Sequence, residues 1–177
     1  MTPVITKGRF KQKIMDVMID NSQPWQRKII STLVHNYKSS PFWAKGGEQL
    51  CELINRPWEH LVYFNLAVIN FFLEKLEINR DYCLASSLDT KHTGSQLILE
   101  ICKKMNTSQY LSGRDGRNYL NEDSFIANEI EVLYQDFKHP FYNQFHGHFI
   151  PNMSIVDIYF NHGFESIDII KGKKCLI

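Results

Sequence analysis

An α/β domain with a small mixed or mostly parallel sheet flanked by helices follows from three properties of this sequence. Its 177 residues are close to the ~150 that a common domain takes, so residues 1–177 read as one domain. Short β-branched or aromatic runs alternate with helix-period segments through the second half, the pattern of strands joined by helical crossovers. A hydrophobic fraction of 44% with 22% charged residues is that of a folded globular chain.

The elements follow in order. Residues 13–20 are β-branched and Met-rich and predict a strand. Ser22, two residues before Pro24, predicts the N-cap of a helix carrying Trp25, Ile29, Leu33 and Tyr37 at helical spacing and ending near Pro41. Gly46 and Gly47 separate Phe42 and Trp43 from a short helix over 48–55, and the longest helix is expected over 57–76 with Pro57 in its first turn. Further on come a strand at 82–85, a helix at 95–105 with Leu97, Ile98, Ile101 and Cys102 inward, and a strand at 109–112. A helix at 119–128, an alternating strand at 129–135 and a Ser154-capped helix ending at Gly163 complete the pattern.

Whole classes of function are excluded by composition. Lys plus Arg exceed Asp plus Glu by one, which gives no electrostatic footprint for nucleic acid. The most apolar window, 61–73, is shorter than the ~20 residues of a membrane span and carries Asn65 and Asn70. Cys51, Cys83, Cys102 and Cys175 form no CxxC pair and no long apolar run opens the chain, so reduced thiols in the cytoplasm are expected. Lys171 to Lys174 read as a solvated tail.

Chemistry concentrates in three places. The run from Tyr110 to Leu120 takes a strand through Ser112 and Gly113 into Arg114, Gly116 and a helix, which places backbone N–H groups and an arginine where an anion or phosphate can be held. Its spacing matches neither the dinucleotide fingerprint nor a Walker loop, and its other reading is an ordinary turn with solvated arginines. The second place is a His-rich run, where His146 and His148 have no carboxylate or cysteine nearby at a familiar zinc spacing. No metal is therefore assigned, and a single histidine serving as general base fits better than a ligand pair. Third, Asp157 stands among Ile155, Val156, Ile158 and Phe160. It is either buried beside a partner such as Ser154 or Asn161, since an unpaired buried acid is costly, or exposed with Asn161 on one stripe. No nucleophile elbow is present, and no cysteine has a histidine near it in sequence.

Lys7-Gly-Arg-Phe10, Trp25, Asn36-Tyr37 with Pro41-Phe42, and Ser86-Ser-Leu88 resemble, in family order, the WbqC-like family of bacterial proteins found among surface-polysaccharide genes. Tyr110-Leu-Ser-Gly113 with Tyr119-Leu120, His139-Pro-x-Tyr142, and Ser154-Ile-x-Asp157 with Phe160-Asn161-x-Gly163 extend the resemblance over nearly the whole chain. What it implies is a transferase that passes glycine or another acyl or aminoacyl group to an amino sugar in O-antigen assembly. Its partners would be a nucleotide sugar or an activated acyl or aminoacyl donor, and its cofactor is unknown. In that scheme Ser112, Gly113, Arg114, Gly116 and Tyr119 hold the phosphate, and His139 takes the proton from the attacking amine. Asp157, Asn161 and Tyr142 orient the substrate. A nucleotidyl transferase is a further option on the same loop.

Family members usually open with a His-Gln-Pro…Leu-Pro-Trp stretch, which this chain does not show; its Gln23-Pro24-Trp25 belongs to a later helix. The sequence is accordingly expected to lack the family's N-terminal strand segment, and to be either a shortened, non-catalytic relative or one completed by an N-terminal segment or by oligomerisation.

Overall fold

The computed structural model describes residues 1–9 and 11–173; Phe10, Lys174 and Cys175, which figure in the readings above, lie outside the described residues. In chain order the elements are α1 (Trp25–Tyr37), α2 (Gly47–Asn55), α3 (Leu61–Lys75), α4 (Gly94–Lys104), β1 (Gln109–Ser112), α5 (Glu122–Ile126), β2 (Glu131–Tyr134), α6 (Ile155–His162) and α7 (Ser166–Ile170). The chain divides into two compact units, Met1–Arg80 with His139–Ile177, and Asp81–Lys138.

In the first unit α1, α2, α3 and α6 share one aromatic core, in which Trp25 and Phe160 are 2% and 0% exposed. Trp25 meets Phe64 edge-on at 5.2 Å and Trp43 meets Phe160 at the same centroid distance. Such pairs add to the large apolar area that aromatic rings bury. A smaller core joins Tyr142, Ile158 and Ile169. The helix α6 therefore runs between two cores, and five consecutive residues from Asp157 to Asn161 are buried. Ser154 caps it, accepting from the Val156 N–H at 3.3 Å, and Gly163 ends it at φ 59°, both as the sequence predicts.

Three expectations in this unit are corrected. Residues 13–20 are a 3-10 turn at Ile14–Asp16 followed by extended chain, with antiparallel bridges only between Val4 and Ile19 and between Met18 and His60. The pattern is strand-like, but its neighbours on both sides are too short to build a ladder. Ser22 is not the cap of α1, because its hydroxyl donates to Asp20 Oδ1 at 2.6 Å and Pro24 takes the cap position. The third helix begins at Leu61 rather than Pro57, since the Glu59 carbonyl is committed to the Ile19 N–H at 2.8 Å.

The second unit is a βαβ crossover. β1 and β2 pair in parallel, with Gln109 opposite Glu131 and Ser112 opposite Tyr134, which bears out the α/β class and a small parallel sheet. Alternation sends Tyr110 and Val132 onto Leu99, Cys102, Phe125 and Ile130, and leaves Leu111 on the outer face at 64% exposure. The expected helix at 119–128 contracts to α5, because Asn121 caps it, accepting from Ser124 N–H. The expected strand at 82–85 is not among the strands of the described residues; the chain turns there into a 3-10 segment at Ala85–Ser87. Among the described residues no helix is long and apolar enough to cross a membrane.

Candidate functional site

Asp157 decides the chemistry of the first unit. Its carboxylate is 6% exposed, and three donors converge on it from other parts of that unit. Tyr37 O–H donates to Oδ1 at 3.0 Å, while Tyr142 O–H and Gln144 Nε2 donate to Oδ2 at 2.8 and 2.9 Å. Buried and hydrogen-bonded is thus the correct reading of this residue, but neither Ser154 nor Asn161 serves the carboxylate. Asn161 instead donates to the Asp157 backbone carbonyl at 2.8 Å and accepts from the Phe145 N–H at 2.7 Å. Burial first, and then the neighbouring Asp157 charge, push the Tyr37 phenol well above its ordinary range. Burial and the hydrogen bond to Asp157 do the same to Tyr142.

A cavity of about 260 Å³ lies against this group. Asp157, Asn161, Tyr37, Asn36, Gln144 and His146 give it polar walls, and Phe145, Ile150 and Met153 give it an apolar one. A carboxylate offers about four lone-pair positions, and the three protein donors leave one on Oδ1. No lysine or arginine forms an ion pair with it among the described residues.

The loop over this cavity is built by Gln144. Its amide oxygen accepts from Ile150 N–H at 2.7 Å, and its Nε2 donates to the Ile150 carbonyl at 2.9 Å as well as to Asp157. Phe145 N–H is fixed on Asn161, so both ends of the segment from 144 to 150 are tied. His146 sits between the ties, with its ring edge-on to Phe145 at 4.7 Å. His139 is placed differently. Its Nδ1 is 2.9 Å from the Pro140 carbonyl oxygen and its ring packs against Tyr142 and Phe149.

The glycine turn belongs to the second unit. Ser112 is 1% exposed, and its hydroxyl donates to the Gly113 carbonyl at 3.1 Å. Gly116 is required there, because a Cβ would stand 2.0 Å from Ser112 Oγ. The segment Arg114–Asn118, expected as the loop before a helix at 119–128, is a 3-10 turn. Arg114 reaches Asp136 at 2.9 Å and the Phe137 carbonyl at 3.2 Å, but both members of that ion pair are mostly solvated, so it is easily exchanged. Arg117 lies 4.0 Å over the Tyr134 ring, and Tyr119 is 54% exposed.

The structure therefore brings Tyr142, Asp157 and Asn161 into direct contact or onto one wall, with His139 packed on Tyr142. Ser112, Gly113, Arg114, Gly116 and Tyr119 are grouped in the other unit. Tyr37 and Gln144 were not singled out as site residues from sequence, and His146 was weighed there only beside His148 in the His-rich run. The signal that could have found them is the need of a buried acid for donors, applied to every Tyr, Asn and Gln in the aromatic-rich segments. Among the described residues no group of three or more His, Cys, Asp or Glu is placed to hold a metal ion.

Comparison with known proteins gives three findings. The WbqC-like protein family model matches residues 1–169. An "Uncharacterized protein Rv1507c" of Mycobacterium tuberculosis is 27% identical over 171 residues, covering 96% of this chain and 74% of the relative. No solved structure matches.

Proposed function

From the premise that this chain belongs to the WbqC-like protein family, we propose that it is a cytoplasmic transferase of surface-polysaccharide assembly, passing a glycyl or other acyl group to a sugar amine. The observation that carries the proposal is the cavity over Asp157. It combines a carboxylate, side-chain amides and an apolar wall, the mixture that suits a sugar ring with its polar edge and apolar face. Asp157 and Asn161 orient the acceptor. Tyr142 fixes the carboxylate from behind, and His139, whose ring packs tilted against Tyr142 at 5.8 Å, holds that phenol in place as a positioning residue.

Within the second unit, and independently of that cavity, the exposed Arg114 and the turn from Ser112 to Gly116, with Tyr119 beside it, are a separate candidate hold for the phosphate of an activated donor or nucleotide sugar. That second role stands or falls separately: Arg114→Ala is expected to weaken binding of a sugar nucleotide in calorimetry at least tenfold, and unchanged binding removes the turn from the site. The reaction itself is tested by incubating the protein with UDP-linked amino sugars and a panel of acyl-coenzyme A and aminoacyl donors. The expected result is a mass increase of one acyl group on the acceptor. An acceptor that stays unmodified with every donor, and that causes no thermal shift of the protein, overturns the proposal.

A further inference from the structure

The cavity holds a buried carboxylate with no cationic partner among the described residues, and beside it a histidine on a loop tied at both ends. Burying a charge without compensation is costly, and the three donors on Asp157 are all neutral groups. The remaining lone pair is on Oδ1, and Asn36, which donates one Nδ2 hydrogen to the Thr32 carbonyl at 2.8 Å, lines the same cavity. This wall asks for a compact donor-rich cation.

We propose that Asp157 is the counter-ion of a primary ammonium carried by the ligand, and that His146 is the catalytic residue that takes its proton. The inference rests on the sugar-cavity reading above and adds the charge state of the acceptor and the identity of the base. Gln144 couples the two parts. One amide group reads the Asp157 carboxylate and clips the His146 loop through Ile150, so the anion and the imidazole are held as one constellation. An imidazole exchanges protons near neutral pH, as the task requires.

The step balances without any redox partner. R–NH3⁺ gives one proton to the His146 ring nitrogen, and the freed amine lone pair attacks the carbonyl carbon of an acyl donor bearing a thiolate or phosphate leaving group. The new C–N bond forms as the bond to the leaving group breaks, and that group departs with the electron pair. The second amine proton passes to the departing thiolate or phosphate as the neutral amide forms, and His146 returns its proton to solvent. The acylated nitrogen is now a neutral amide, so it loses its charge-based hold on Asp157.

The test uses the full chain and three probes: glucosamine, N-acetylglucosamine and glucose, titrated while the histidine Cε1–H signals are followed by NMR. Glucosamine is expected to shift the His146 signal saturably and to bind at least tenfold more tightly than the other two. Asp157→Asn is expected to erase that difference, and His146→Gln, on an exposed loop, to keep glucosamine binding while flattening the pH profile of acyl transfer. Equal binding of all three probes at the cavity overturns the ammonium inference and leaves the sugar reading standing. No response of cavity signals to any probe overturns both, and this contrast needs only the unaltered protein. An unchanged pH profile in His146→Gln, with ammonium selectivity intact, removes His146 as the base.

Discussion

A single aspartate shows how far residue-level physics reaches. Asp157→Ala would take the acceptor from the Tyr37 and Tyr142 hydroxyls and one Gln144 N–H, and should destabilise the protein by about 3 kcal/mol. Tyr142→Phe, which removes one donor and leaves the ring in place, should cost about 1–2 kcal/mol. Urea denaturation of both variants checks the ranking. The same network fixes an alkaline response. Tyr37 and Tyr142 have their folded-state values raised, so their contribution to stability is complete below the ordinary phenol value near 10. It erodes as pH rises beyond that value toward the folded ones. In a 295-nm absorbance titration both phenols should therefore stay neutral until the protein unfolds; ionisation of either with the fold intact contradicts the geometry. That Asp157 would need a partner if buried was legible, because its neighbours in sequence are apolar; that it is buried was not. The identity of the donors was not, because Tyr37 lies 120 positions away in the chain.

Elements were legible where their signals are local. Ser154 and Gly163 bracket α6 as written, since a hydroxyl cap and a left-handed glycine act within one turn of the backbone. Ser154→Ala should lower stability by about 1 kcal/mol. Gly163→Ala should cost more, because it combines positive φ with a Cβ placed 2.3 Å from the Phe42 ring. Thermal melts of the two variants test that order, and a Gly163→Ala protein as stable as the parent would refute the close packing. Elements were misread where a neighbour had the last word. The strand-like residues from Val17 to Asp20 find only single-residue bridges, and Pro57 is shut out of α3 because the chain before Leu61 is held extended by Ile19. A β ladder is a property of two segments, so no pattern in one of them can guarantee it.

At the scale of the molecule the core is divided: the cluster around Phe125 lies in the unit Asp81–Lys138, and the two clusters around Phe160 and Tyr142 lie in the other. All three tryptophans, Trp25, Trp43 and Trp58, belong to the latter unit, so their fluorescence reports on it alone. Phe125→Ala, at 0% exposure, should cost about 3–5 kcal/mol and strip amide-exchange protection from α4, β1 and β2, with little change in the fluorescence midpoint. Equal shifts of both signals would show that the two units melt as one. The sequence by itself determined the α/β class with some parallel pairing, strands at 109–112 and within 129–135, the limits of α6 and the family resemblance, because periodicity, caps and short motifs are written within a few residues of where they act; which strands pair came from the structure. The tertiary structure alone decided that α6 is walled in by two cores, that Asp157 faces a cavity with a lone pair unused, and that Gln144 binds the histidine loop to it. Burial depends on what folds over a residue from elsewhere in the chain, and no local pattern carries that information.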